Sequence, residues 1–294
     1  MPFVFLPVIW LSWGIAYPVT GIALGGFDVL TLRVLVQLLG ALALLMQVKL
    51  AGVSLAVERE AWADLVVTAL LYMTVMPLCM TLGMYLMSPG RTSVLIYTMP
   101  IWASLFARPM LGERLTAPRL IALLLGGTAV VTMVSQDLSH LRNAPLGVAL
   151  ALLAAMAFGL GTVWLKRRRW RANPSAVAFW QLTIGLAPLA LIWLAVSFPP
   201  DLAAPTRAHW LALLFLGVVS NGVAYFAWFR LVKTVPASVS GISSLAVPCV
   251  GVGSSAWLIG ERLGPQDLAA MALIGAALAI MLAEQIRRRA GERA

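Results

Sequence analysis

The chain has 294 residues, of which 61% are hydrophobic and only 11% charged, and its mean hydropathy is +0.93. Soluble domains carry about 25% charged residues, so a chain this poor in charge needs an apolar solvent for its surface, and the bilayer supplies one. The net charge of +10 does not make a nucleic-acid binder, because the basic residues fall in short breaks between apolar runs rather than along one face.

Ten apolar runs of about twenty residues follow one another, and each reads as a membrane-spanning helix. They cover 4–24, 28–48, 63–86, 90–110, 117–136, 145–166, 175–197, 208–231, 237–259 and 265–285. The first run begins almost at Met1 with no basic segment before it, so it reads as a retained helix rather than a signal peptide. The runs are continuously apolar, which excludes the alternating pattern of a membrane β-barrel. Cys79 and Cys249 both lie inside runs, so neither a disulfide framework nor a metal site is indicated, and no cofactor is called for.

Lys and Arg set the orientation. With the N-terminus inside, 16 of them fall in inside segments, including Lys49, Arg59 and the Lys166–Arg171 run; four fall outside, at Arg91, Arg142, Arg207 and Arg262. Both termini are then cytoplasmic. The Lys166–Arg171 run also suits contact with anionic lipid. Nothing in the sequence requires a partner subunit, and a monomer is compatible with it.

The chain repeats itself. Gly112-Glu113-Arg114-Leu115 recurs as Gly260-Glu261-Arg262-Leu263, with Pro100 and Pro248 equally far upstream. Ser12-Trp13-Gly14 pairs with Ala157-Phe158-Gly159, and Pro89 with Pro236. The halves are 1–143 and 144–294, and each holds five helices, an odd number. The second half therefore enters the membrane from the opposite side, as in the inverted repeats of many secondary transporters. The fold expected is thus an all-α membrane protein of ten transmembrane helices in two inverted five-helix repeats.

These residues also carry a resemblance. A 5+5 duplication with Gly-Glu-Arg-Leu after a proline-containing fourth helix in each half resembles the EamA-type members of the drug/metabolite transporter superfamily. The stretch from Trp228 to Ser238 is similar to that family's turn between helices 8 and 9. The resemblance spans essentially the whole chain. It implies a multi-pass transporter of the bacterial inner membrane with a small-molecule substrate. The aromatic content, with Trp102 and Trp164, looks most like the aromatic amino-acid exporters. The rivals are a multidrug or nucleobase exporter and, in another class, an intramembrane enzyme. The enzyme would need a nucleophile and base at depth, and no His or acid lies there.

A transport site needs polar or aromatic groups at membrane depth. The candidates are Gln37, Tyr97, Trp102, Trp164, Asn221, Tyr225 and Ser244, beside Gln181 and Ser243. Asn221 and Tyr225 are one turn apart and share a helix face. Pro100 and Pro248 read either as hinges, each freeing a carbonyl one turn back, or as packed kinks. Trp102 and Trp164 read either as cavity lining or as interface anchors. Asp28 and Asp64 stand at helix starts, and Glu113, Glu261 and Glu284 at or near helix ends, so no carboxylate sits mid-span. Carboxylate-based proton exchange is thereby disfavoured, and a neutral or zwitterionic substrate is favoured over an organic cation. Arg33 is the one charge inside a span, near enough to its outer end to snorkel to the surface or, alternatively, placed to meet a substrate carboxylate.

Overall fold

The computed structural model describes residues 5–87, 89–112, 116–136, 144–225, 227, 247, 250–251, 253–260 and 264–291. Every regular element among them is a helix: α1 Phe5–Leu24, α2 Val29–Leu50, α3 Trp62–Ala69, α4 Met76–Leu86, α5 Pro89–Ile96, α6 Met99–Leu111, α7 Ala117–Gln136, α8 Ala144–Lys166, α9 Pro174–Val196, α10 Arg207–Leu214 and α11 Pro265–Gly291. Two wide π-type segments interrupt the series. One, Leu70–Val75, joins α3 to α4, and the other, Phe215–Val223, continues α10. Residues 253–259 are also helical.

Local chemistry sets the helix ends where the apolar runs begin and stop. The Asp28 carboxylate accepts the amides of Leu30 and Thr31, both at 3.0 Å, and opens α2. Asn173 caps α9 with Pro174 in its first turn, and Thr206 and His209 close a reciprocal capping box on α10. Gly112 and Gly260 both take positive φ, +69° and +65°. Gly112 ends α6 in this left-handed conformation, donating its amide to the Arg108 carbonyl at 3.1 Å. The glycine that opens each Gly-Glu-Arg-Leu motif is therefore there for its backbone; the other three residues of both motifs lie outside the described residues.

Among the described residues, five helical stretches are long and apolar enough to cross a bilayer: Pro7–Leu24, Val29–Leu50, Arg59–Leu86, Pro145–Lys166 and Pro174–Val196. Shorter apolar helices lie at Leu120–Ala129, Arg207–Val223 and Leu268–Ala277. Half or less of each long span is buried in the protein, and Met46, Val131 and Leu191 on the outward faces are each more than 60% exposed. Apolar faces this wide belong in hydrocarbon. The chain is a multi-pass membrane protein.

Two expectations are corrected by the backbone. The fourth apolar run is not one kinked helix: α5 and α6 are separated by a turn at Tyr97 and Thr98, and Pro100 stands in the first turn of α6. There a missing N–H costs nothing, because no intrahelical acceptor awaits it. The third and eighth runs are not plain α-helices either. Pro77 follows the first π segment, whose wider turn eases the clash between the proline ring and the carbonyl one turn back. In the second, Gly217 and Gly222 let the segment lie against α2: a Cβ there would stand 2.5 Å from Leu39 Cβ and 2.8 Å from Ala43 Cβ, respectively. The two segments begin at Leu70 and Phe215, the same interval of 145 residues that separates Trp13 from Phe158.

Candidate substrate site

Polar and aromatic side chains from both parts of the chain converge at mid-span. From α1, the Trp13 indole donates to the Ser220 carbonyl at 3.2 Å and meets the Tyr225 ring edge-on, with centroids 5.6 Å apart. From α2, fully buried Gln37 donates its amide to the Leu182 carbonyl of α9 at 2.9 Å. Gly40, a turn further along α2, lies against Asn221, since a Cβ on it would be 2.7 Å from Asn221 Cβ. In the first π segment the Tyr72 hydroxyl shares a 2.8 Å hydrogen bond with Thr162 of α8, and its ring packs edge-on to Phe158 at 4.9 Å. Thr74 donates to the Gly185 carbonyl at 2.9 Å. Arg33, on the same face of α2 as Gln37, is only 6% exposed. Tyr225 lies within electrostatic reach of both Arg33 and Tyr72.

The two rims of the bundle are built differently. At one, Asp64 accepts the Trp164 indole at 2.9 Å and pairs with Arg168 at 3.1 Å, while Arg167 stacks over the Trp164 ring at 4.8 Å. Glu58 accepts the amides of Arg171 and Ala172, and Trp180 donates to the Leu55 carbonyl at 2.9 Å. The Glu58 carboxyl is held below its ordinary value of 4.5, first by its own amide and then, against a smaller opposing effect of burial, by those of Arg171 and Ala172 and the nearby Arg168 charge. At the other rim His209 covers Gly26, where any Cβ would collide with the ring, and Trp210 meets Phe27 edge-on at 5.1 Å.

The model of the EamA-like transporter family matches residues 3–135 and 145–283. The chain belongs to the EamA-like transporter family. Its membership makes it a membrane transporter of a small molecule, and several of its relatives are named as transporters, exporters or efflux pumps. A probable terminal-alkyne amino-acid exporter of Streptantibioticus cattleyicolor is 26% identical, over 95% of this chain and 91% of the relative. A probable amino-acid metabolite efflux pump of Escherichia coli is 26% identical, over 64% of this chain and 66% of the relative. An uncharacterized transporter of Bacillus subtilis is 28% identical, over 90% and 86%. One solved structure shares the fold, with a TM-score of 0.69 at 23% identity, covering 96% of this chain and 98% of the other.

In this EamA chain the expected site residues divide. Tyr225 meets Trp13, Asn221 lies against Gly40 of α2, and Gln37, one turn before Gly40, bonds to α9. Tyr97 lies at the α5–α6 turn, 5% exposed and hydrogen-bonded to Tyr17, in a cluster with Met84, Leu95 and Ala151. Trp102 donates to the Thr98 hydroxyl at 3.2 Å and backs onto Gly159, where a Cβ would be 2.7 Å from the Ala103 amide. Trp164 is held at the rim by Asp64. Ser244 and Pro248 lie outside the described residues, as does Ser243. Arg33 does not snorkel to the surface: it is buried. Trp13, Tyr72 and Thr162, which the packing brings into hydrogen bonds and ring contacts between helices, were not among the expected residues. Trp13 had a signal in its repeat pairing with Phe158, whereas Tyr72 and Thr162 stand in otherwise apolar runs and are joined only by the packing of two helices.

Proposed function

We propose that this chain exports amino acids or closely related small metabolites, aromatic ones foremost, across the bacterial inner membrane by alternating access. The observation that carries the reading is the mid-span cluster of Trp13, Gln37, Tyr72, Asn221 and Tyr225. It combines hydrogen-bonding groups with aromatic faces, which suits a small substrate bearing a polar head and an apolar side chain. Trp102, and Tyr97 at the break between α5 and α6, belong to the same proposed pathway, with the break near Pro100 as its hinge and Pro248 as the counterpart. Ser244 is proposed for the matching stretch.

The proposed topology is ten spans in two inverted halves, 1–143 and 144–294, with both termini cytoplasmic. Three features support it. Loops assigned to the inner face by their positive charge meet one another, as Glu58 meets Arg171 and Ala172. Loops assigned to the outer face do the same, as His209 meets Gly26. The π segments fall in the third helix of each half, so both halves can bend at equivalent places.

The test is flux in proteoliposomes with labelled phenylalanine, tryptophan and leucine beside a cationic drug. Saturable amino-acid flux is expected. Among the described residues Arg33 is the one buried charged side chain, so no buried carboxylate is at hand to carry protons. Imposing a pH gradient should therefore leave the initial rate unchanged. Drug flux with no amino-acid flux would overturn the substrate; a rate that follows the pH gradient would overturn the coupling.

A further inference from the structure

We infer that Arg33 and Gln37 form a head-group anchor for a zwitterion, the guanidinium holding a carboxylate and the Gln37 carbonyl oxygen an ammonium. The inference rests on the transporter reading above and adds the charge pattern its substrate must carry.

Arg33 is the fifth residue of α2, close enough to the helix end to have reached water. It is instead 6% exposed, and its Nε–H is buried without a hydrogen-bond partner. No carboxylate among the described residues pairs with it. Asp28, the nearest acid in sequence, is turned to the amides of Leu30 and Thr31 as the helix cap. The Tyr225 phenol lies within electrostatic reach of Arg33, but a phenol is neutral at physiological pH and cannot balance a guanidinium. An arginine buried at membrane depth with no anion is costly, and such residues mark substrate or ion pathways.

Gln37 supplies the other half. Its Nε2 is committed to the Leu182 carbonyl, which fixes the orientation of the amide, because two carbonyl oxygens cannot hydrogen-bond each other. Its Oε1 is then left buried and without a partner. Buried acceptors are rarely left so. Arg33 and Gln37 are four residues apart on one helix face, about 5–6 Å between Cβ atoms. A cationic donor and a neutral acceptor at that spacing complement the adjacent carboxylate and ammonium of an α-amino acid. The rings of Trp13, Tyr72 and Tyr225 are then left for the side chain. The same guanidinium repels organic cations, which gives the site a ground for excluding cationic drugs.

The test compares phenylalanine with its amide, its methyl ester and 3-phenylpropionate, which lacks the ammonium. Two readouts are used on the full chain: competition against labelled phenylalanine flux in proteoliposomes, and thermal stabilisation in detergent, which needs no transport. In the wild type the amide and ester should bind at least about tenfold more weakly than the acid, and phenylpropionate a few-fold more weakly. R33Q should abolish the preference for acid over amide, R33K should retain part of it, and Q37L should remove the preference for phenylalanine over phenylpropionate. Equal binding of acid and amide by the wild type overturns the anchor, even while amino-acid flux upholds the exporter. Stabilisation by carboxylates but not amides, without amino-acid flux, upholds the anchor and sinks the exporter. Stabilisation by chloride or phosphate equal to that by phenylalanine also overturns it.

Discussion

Two guanidiniums in this molecule live under opposite rules. Arg168 sits at the rim, about a quarter exposed, with the Asp64 carboxylate 3.1 Å away. Arg33 is buried in the bundle with no carboxylate among the described residues to meet it. The rim charge has partners and water, so its pairing pins loops and contributes little energy. The interior charge has no carboxylate beside it among the described residues, and under the anchor proposed above its placement answers to what passes through. The difference also separates the tryptophans: Trp164 is tied to the rim carboxylate, whereas Trp13 gives its indole N–H to a backbone carbonyl at mid-span. Polar groups at the rim pair with one another, and those inside bond to backbone carbonyls of neighbouring helices.

That contrast can be broken most severely by adding volume inside. A Cβ on Gly185 would stand 2.5 Å from Met73 Cβ and 3.1 Å from the Gln37 amide. Gly185→Val should therefore push α9 off the first π segment at a cost of about 1–3 kcal/mol. A clear drop in melting temperature and loss of flux are expected; a wild-type melt with wild-type flux would show that the interior is not close-packed there. Next in size is Trp13→Phe, which keeps a ring against Tyr225 and deletes the bond to the Ser220 carbonyl. It should cost about 1 kcal/mol in stability and raise the KM for phenylalanine several-fold while leaving the maximal rate near wild type. A fall in maximal rate alone would place Trp13 in the conformational step instead.

At the rim the same scale of change should do far less. Asp64→Asn removes the charge from the Arg168 pair and keeps an oxygen for the Trp164 indole. A loss of about 0–1 kcal/mol is expected, with flux unchanged. A large loss of flux in that variant would erase the distinction between rim and interior.

How much of this was readable in advance follows the same division. Helix ends are legible where caps and glycines act locally: Asp28 was placed at a helix start and Gly112 at the motif closing a helix, each within four residues of the bond it makes. The pairing of the two Gly-Glu-Arg-Leu motifs was legible as repetition, and the left-handed conformation of both glycines gives it a backbone cause. Hydropathy does not distinguish a π turn from an α turn, so Leu70–Val75 and Phe215–Val223 stayed hidden. The same blindness concealed the break at Tyr97, where proline inside an apolar run signals either a kink or a new helix. In the site, Gln37, Asn221 and Tyr225 stood out as polar residues in apolar runs. Trp164 looked like them, because its partner Asp64 is 100 residues away and only tertiary structure joins the two. Arg33 was visible as a charge, but whether it reached the surface depended on the helices around it.

The smallest expected effect concerns Glu58, and it sharpens the contrast from the rim side. Its carboxylate accepts its own amide and those of Arg171 and Ala172, with the Arg168 charge nearby, and its pKa is lowered below 4.5. Between the lowered value and 4.5 the unfolded chain binds more protons than the folded one, so stability rises with pH across that window. The contribution is complete above 4.5 and is lost as pH falls through the folded value. Wild type should therefore lose melting temperature on acidification in that range, and Glu58→Gln should show a shallower slope, with the two curves running parallel near neutrality. Arg33 has no protonation step in this window, so Arg33→Gln should keep the wild-type slope. If it flattens the acid limb as Glu58→Gln does, the buried guanidinium is coupled to a carboxylate after all, and rim and interior are one network.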